Sequence, residues 1–132
     1  MKTIAAVSAI IYHGKKFLCV QKGANKYDYI AYKYEFPGGK VEEGETHEAA
    51  VIREIKEELQ MDVTIVSQLT SVTHHYPDFL LVLHNFLCSC RSAELVLTEH
   101  IDFKWLSKTE LRSLDWAASD VPIVEELVGL KL

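Results

Sequence analysis

Between residues 42 and 58 this chain places seven glutamates against one arginine and one lysine. A segment so acidic folds only if its carboxylates stay in water, find partners, or meet a bound cation. Its apolar residues decide the local form. On an ideal helix with Val51 at zero, Ile55 falls at ~40°, Leu59 at ~80° and Ile52 at ~100°. That stripe suits a core. Glu58 falls at ~340°, Glu54 at ~300° and Glu57 at ~240°, so three carboxylates share a separate face at i, i+3 and i+4 spacing. Thr46 can cap the first turn and Glu48 complements the helix dipole there, so the spacing predicts a helix over 46–59.

Three like charges so close repel one another, and crowding raises carboxylate pKa values unless a cation is present. Two readings stay open on the spacing alone: a solvated helix face, or a site for a divalent ion. If an ion binds, all-oxygen ligands favour Mg²⁺ or Mn²⁺ over Zn²⁺.

The rest of the chain supplies a sheet. Strands are predicted at 3–12 and 17–21, joined by a turn at His13–Lys16 as a hairpin. A loop or irregular edge strand with four tyrosines follows over 23–34, and Glu35-Phe36-Pro37-Gly38-Gly39 reads as a turn. Further strands are expected at 62–73, 79–90 and 101–106. The run 79–90 is apolar on both faces and so belongs in the middle of the sheet. Helices are expected at 107–114 and 119–130. The pattern predicts an α/β fold, a mixed β-sheet sandwiched between helices (α/β/α), in a single domain over 1–132.

Charge and composition remove several functions. The formal net charge is −5, and the chain outside 42–58 is neutral, with twelve acids against twelve bases. No basic face wraps a nucleic-acid polymer. Residues 1–40 nonetheless carry seven lysines and two acids, a local excess of positive charge. The longest apolar run, 79–90, is too short to span a bilayer, and the N-terminus reads as no signal peptide, so a cytoplasmic protein is expected. The three cysteines, Cys19, Cys88 and Cys90, form no CxxC pair and are expected as reduced thiols. His74 and His75 are adjacent on a strand, point to opposite faces, and cannot ligate one ion.

The segment reads Gly39-x5-Glu45-x7-Arg53-Glu54-Ile55-x-Glu57-Glu58-x-x-Met61. This pattern resembles the Nudix box. Tyr34-Glu35-Phe36-Pro37-Gly38-Gly39 is similar to the entry to the box in the MutT-like branch, and Leu114–Pro122 resembles that branch's C-terminal region. One position departs from the box: Gln60 stands where the family usually has a glycine in a left-handed conformation, at a cost on the order of 1 kcal/mol.

The resemblance implies the Nudix fold and metal-dependent hydrolysis of a nucleoside triphosphate to nucleoside monophosphate and pyrophosphate. Candidate bases are an oxidised purine, as in 8-oxo-dGTP, or cytosine, as in CTP. Implied metal ligands are Glu54, Glu57, Glu58, Glu99 and the backbone carbonyl near Gly38, holding Mg²⁺ or Mn²⁺. Glu54 is also a candidate to position or deprotonate the water. Arg53 would orient the carboxylates, and Glu45 would support them at the loop–helix joint. Glu99 is implied as a further ligand or base, or else stands as a solvated loop residue.

Lys22 is implied as a phosphate contact, or else closes its strand in solvent. Asp120 is implied at the nucleobase, where an ionised carboxylate accepts from N–H and NH₂ edges. Ser119 or Asp120 could instead cap the last helix. Phe36, Tyr34 and Tyr76 are the aromatic candidates for stacking. The expected partner is a small nucleotide, to a monomer or homodimer. Two other functions stay open: hydrolysis of another diphosphate, such as ADP-ribose or a dinucleoside polyphosphate, and nucleotide binding without catalysis.

Overall fold

A computed structural model describes residues 1–131; Leu132, the last residue of the expected domain, lies outside them. The elements are β1 (Lys2–His13), β2 (Lys16–Gln21), β3 (Tyr34–Glu35), β4 (Gly38–Lys40), α1 (His47–Leu59), β5 (Val63–Gln68), β6 (Val72–His75), β7 (Phe79–Cys90), β8 (Asp102–Leu106) and α2 (Val121–Gly129). The eight strands make one mixed sheet in the order β3-β2-β1-β7-β5, with β4 on β1, β6 on β7 and β8 on β2.

β1 and β7 run parallel from Lys2↔Phe79 to Ile11↔Cys88 and form the centre. Their residues alternate between two buried layers. Val7, Ala9 and Ile11 pack under α1 with Val51, Ile55 and Leu59. Ala6 and Ile10 pack on the other face with Phe36, Leu111, Trp116, Ile123 and Leu127. A helix on each face of a mixed sheet is the expected α/β/α architecture. Among the described residues no helix is long and apolar enough to cross a membrane.

Five local expectations change. The β1–β2 hairpin keeps only two pairs, Tyr12↔Phe17 and His13↔Lys16; further along, that edge of β2 pairs with β3 at Val20 and Gln21, while β8 takes the opposite edge over Phe17–Gln21. Gly38 and Gly39, expected in a turn, instead open the strand Gly38–Lys40 against Ala6–Ser8. A Cβ on Gly38 would stand 1.9 Å from the Val7 carbonyl oxygen, so only glycine lets the two backbones approach this closely.

The run 62–73 breaks into β5 and β6. A register shift falls between Ile65 and Ser67, and the linking segment bonds to β7, with Leu69 N–H to the Asn85 carbonyl at 2.9 Å and Asn85 Nδ2 to the Thr70 carbonyl at 3.0 Å. Asn85 is buried, and its Oδ1 accepts from the Ser8 hydroxyl. Ser107–Leu114 forms a turn and one 3-10 turn at Leu111–Ser113 rather than a helix. There the burial of Leu111 and Trp116, joined by the indole N–H to the Leu111 carbonyl at 2.6 Å, overrides helix propensity. The last helix, expected from 119, begins at Val121 after a 3-10 turn at Ala118–Asp120.

Candidate active site

α1 starts as its sequence directs, with the Thr46 hydroxyl accepting from Ala49 N–H at 3.1 Å. Ala50, Val51, Ile55 and Leu59 are buried as a stripe, but the buried sector is turned toward the carboxylates. Ile52, expected in the core, is 40% exposed, while Glu58 is only 5% exposed. The cause is β4, which covers the glutamate edge of the helix. A Cβ on Gly39 would lie 2.4 Å from Oε2 of Glu54, so the missing side chain makes room for that carboxylate. α1 ends at Gln60, whose φ of 53° and ψ of 36° put a side chain in the left-handed region.

Arg53 organises the outer carboxylates. Its Nε and Nη2 donate to the two oxygens of Glu45 at 2.6 and 2.8 Å. Nη1 donates to Glu54 Oε1 at 2.9 Å and to Glu57 Oε2 at 3.2 Å, and Nη2 reaches the Lys40 carbonyl at 3.1 Å. The Arg53 bonds, with help from the Glu42 N–H, pull the Glu45 carboxyl down to about 2. Glu45 therefore stands at the loop–helix joint as a permanent anion under Arg53. Glu57 is the most open of the three helix carboxylates, with its side chain 59% exposed.

Glu58 is different. Burial, then the charges of Glu35, Glu54 and Glu99, push its carboxyl up to about 9. Its Oε2 is buried and has no hydrogen-bond partner. Glu99 comes close because its loop satisfies the open end of α1. Thr98 N–H and hydroxyl both donate to the Glu58 carbonyl, at 3.1 and 2.8 Å, and Val96 N–H donates to the Leu59 carbonyl at 2.9 Å.

Among the described residues no three acidic, histidine or cysteine side chains are gathered into a ready-made ligand cage. The donors present nonetheless fit a hard divalent cation. They are all oxygen, one of them is buried and unpartnered, and the charges around it repel until a cation is added.

A cavity of about 460 Å³ opens on the opposite face of the sheet and reaches Gly39, whose backbone lies against Glu54; none of Glu54, Glu57, Glu58 and Glu99 lines it. Lys22, Glu35, Gly38, Gly39 and Lys40 form the end nearer α1, while Asp120 and Phe36 line its buried part. Phe36 is 3% exposed and packs on Trp116 at 4.7 Å. Asp120 lies at 4% exposure, with Oδ2 accepting from Phe36 N–H at 2.8 Å and Oδ1 from the Ser119 hydroxyl at 3.2 Å. Burial first, and the charge of Glu35 second, raise the Asp120 carboxyl to about 7. Neither Ser119 nor Asp120 caps the last helix through its side chain; that role gives way to the bonds across to Phe36 and Tyr76.

The aromatic candidates divide. Tyr76 lines the cavity, with its hydroxyl on Ser119 at 3.1 Å. Tyr34 does not; its hydroxyl donates to Asp102 at 2.6 Å. Sequence reasoning missed the outer wall, where Tyr27 stacks on Tyr29 and Tyr29 on Tyr76, with Phe79 beside them. The cluster of four tyrosines over 23–34 was the available signal. It also missed Glu35 and His100, joined at 2.9 Å, for which no sequence pattern stood out. His74 is half-buried with its ring edge on Tyr76, His75 is exposed, and neither lines the cavity.

Comparison with known proteins agrees with this geometry. The family profile of the NUDIX domain matches residues 2–127. The chain is 31% identical to the CTP pyrophosphohydrolase of Escherichia coli over 131 residues, 99% of this chain and 96% of that protein. It is 32% identical to the 8-oxo-dGTP diphosphatase of the same organism over 102 residues, 77% of this chain and 79% of that one. Among solved structures, the MutT protein of methicillin-resistant Staphylococcus aureus superposes with a TM-score of 0.76 at 38% identity, covering 96% of this chain and 97% of the other.

Proposed function

The chain belongs to the Nudix hydrolase family, whose enzymes cleave phosphoanhydride bonds, and we propose that it converts a nucleoside triphosphate to a nucleoside monophosphate and pyrophosphate. The observation that carries this is the buried, unpartnered Glu58 oxygen among the charges of Glu35, Glu54 and Glu99, with Glu35 itself lining a cavity that also holds the buried Asp120. In this reading residues 1–132 act as one domain on free nucleotides in the cytoplasm, as a monomer or homodimer.

Glu54, Glu57, Glu58, Glu99 and the Gly38 carbonyl would hold Mg²⁺, with Mn²⁺ as a substitute, and the metal would supply neutralisation of phosphate oxygens and an activated water. Glu54 would orient or deprotonate that water. Arg53 holds Glu54 and Glu57 by charge-assisted bonds, and Glu45 in turn fixes Arg53. Lys22 contacts phosphate. Phe36 packs against the base. Asp120 reads the edge of the base: as a carboxylate it accepts from the amino group of cytosine or from the N–H and NH₂ edge of an oxidised guanine. The near-complete alignment with the E. coli CTP pyrophosphohydrolase and the partial one with the 8-oxo-dGTP diphosphatase support both bases as first candidates.

A substrate panel with Mg²⁺ tests the reading: canonical and oxidised triphosphates, ADP-ribose and diadenosine polyphosphates, assayed for phosphate and pyrophosphate release. Pyrophosphate from CTP-type or 8-oxo-dGTP-type substrates is expected. Turnover confined to the dinucleotides or ADP-ribose would replace this proposal, and no turnover of any would end it. Glu57→Gln is expected to abolish activity with the fold intact.

A further inference from the structure

His100 is a buried histidine outside the box, with its side chain 3% exposed. Its Nε2 donates to Glu35 Oε2 at 2.9 Å, and its Nδ1 is buried with no hydrogen-bond partner. The contact is made across strand β2. Glu35 on β3 pairs with Val20 of β2, and β8 pairs with β2 on its other side. Ile101 N–H donates to the Gln21 carbonyl at 3.0 Å and so brings His100 to the same end of β2. The same Glu35 oxygen that takes the histidine bond lies 3.6 Å from Lys22 Nζ, and both Lys22 and Glu35 line the cavity.

A burial this complete, with one ring nitrogen left unpaired, is unfavourable for packing alone, since an apolar side chain would fill the space without that loss. The bond to Glu35 is what the imidazole supplies. Glu35 carries a carboxylate at the end of a flexible side chain beside a lysine with its own side chain 40% exposed. Left free, that pair would sample many geometries and have little net energy. Anchored by a buried donor, the carboxylate holds the ammonium in one place. We propose that His100 is a positioning residue, fixing Glu35 so that Lys22 is held at the phosphate end of the cavity. The inference rests on Lys22 as a phosphate contact in the proposed reaction.

The test uses inorganic triphosphate as the anion probe, with its affinity for the full chain measured by calorimetry beside CTP and 8-oxo-dGTP kinetics. His100→Ala is expected to weaken triphosphate binding about tenfold and to raise KM similarly, with kcat within about threefold of the native chain. His100→Gln keeps an N–H donor near the Nε2 position and is expected to recover most of the loss. Lys22→Ala is expected to match His100→Ala, and the double variant to be no worse than Lys22→Ala alone. Should His100→Ala fail to fold, Glu35→Gln carries the same expectation.

Additive losses in the double variant would overturn the proposal. So would His100→Ala binding triphosphate as the native chain does, or a melting temperature that falls with KM unchanged. If the native chain turns over no triphosphate yet the binding series holds, the enzymatic reading fails and the positioning role stands.

Discussion

Two carboxyl groups lie buried among the described residues, Glu58 beneath α1 and Asp120 on the α2 face. Both are raised, to about 9 and about 7, and burial is the first cause in each. Their partners differ. Asp120 has a donor on each oxygen, a backbone N–H and a hydroxyl. Glu58 has a buried oxygen with none, and the charges around it are three carboxylates, offset only weakly by Lys22. An acid with two donors is settled by the fold itself. An acid with none, among like charges, is stable only when protonated or beside a cation. In the proposed reaction the first would serve recognition of the base and the second would serve a metal site. Glu35 stands between them and raises both.

The contrast is most easily broken at Glu58. Glu58→Gln keeps the shape and removes the charge, and turnover is expected to fall about 10³-fold or more with an unchanged circular-dichroism spectrum. Mg²⁺ is expected to raise the melting temperature of the native chain and to leave that of Glu58→Gln nearly still. An equal rise in both would erase the distinction drawn above.

Arg53→Ala is next. It leaves Glu45 and Glu54 without their partner, so kcat is expected to fall about 10²-fold together with a lower melting temperature. Arg53→Lys is not expected to rescue it, because lysine cannot make the paired bonds to Glu45. Rescue by lysine would show that charge alone matters on the α1 side.

Asp120→Asn tests the other side. The amide still accepts from Phe36 N–H, so the fold is expected to persist while the kcat/KM ratio between cytosine and guanine-type triphosphates shifts about tenfold. The pH dependence has a fixed sign. Asp120 is raised from 3.8 to about 7, so its contribution to stability is fully present below the unfolded value and is lost as pH rises through about 7. Urea unfolding at about pH 5 and about pH 8 should show the native chain losing more stability across that interval than Asp120→Asn does.

The smallest effect is expected from Gln60→Gly. Removing the side chain from a residue at φ 53° is expected to add about 1 kcal/mol of stability with kinetics unchanged. Altered kinetics would mean that backbone strain, and not charge, sets the carboxylate geometry.

α1 was legible almost to the residue, from its Thr46 cap to the left-handed Gln60, and so was the central strand Phe79–Cys90. The long apolar run of that strand needs burial on both faces, which leaves few places for it. The segment 62–73 was not legible, because its break depends on bonds to Asn85, many residues away. Nor was the loss of the helix at 107–114, where the burial of Leu111 and Trp116 outweighs local propensity. Ile52 and Glu58 exchanged places between solvent and core for a similar reason: β4 leans on one edge of α1, and a helical wheel contains no β4.

The glutamate spacing thus settled a helix with one acidic edge and pointed to its family, since contacts three and four residues apart are fixed by helical geometry. It could not settle which of those acids loses its water. That followed from Gly39 admitting Glu54, from the Thr98 loop closing over the end of α1, and from His100 meeting Glu35 across β2. These contacts join residues far apart in the chain, and burial, which sets the pKa of Glu58 and of Asp120 alike, exists only once the sheet has brought them together.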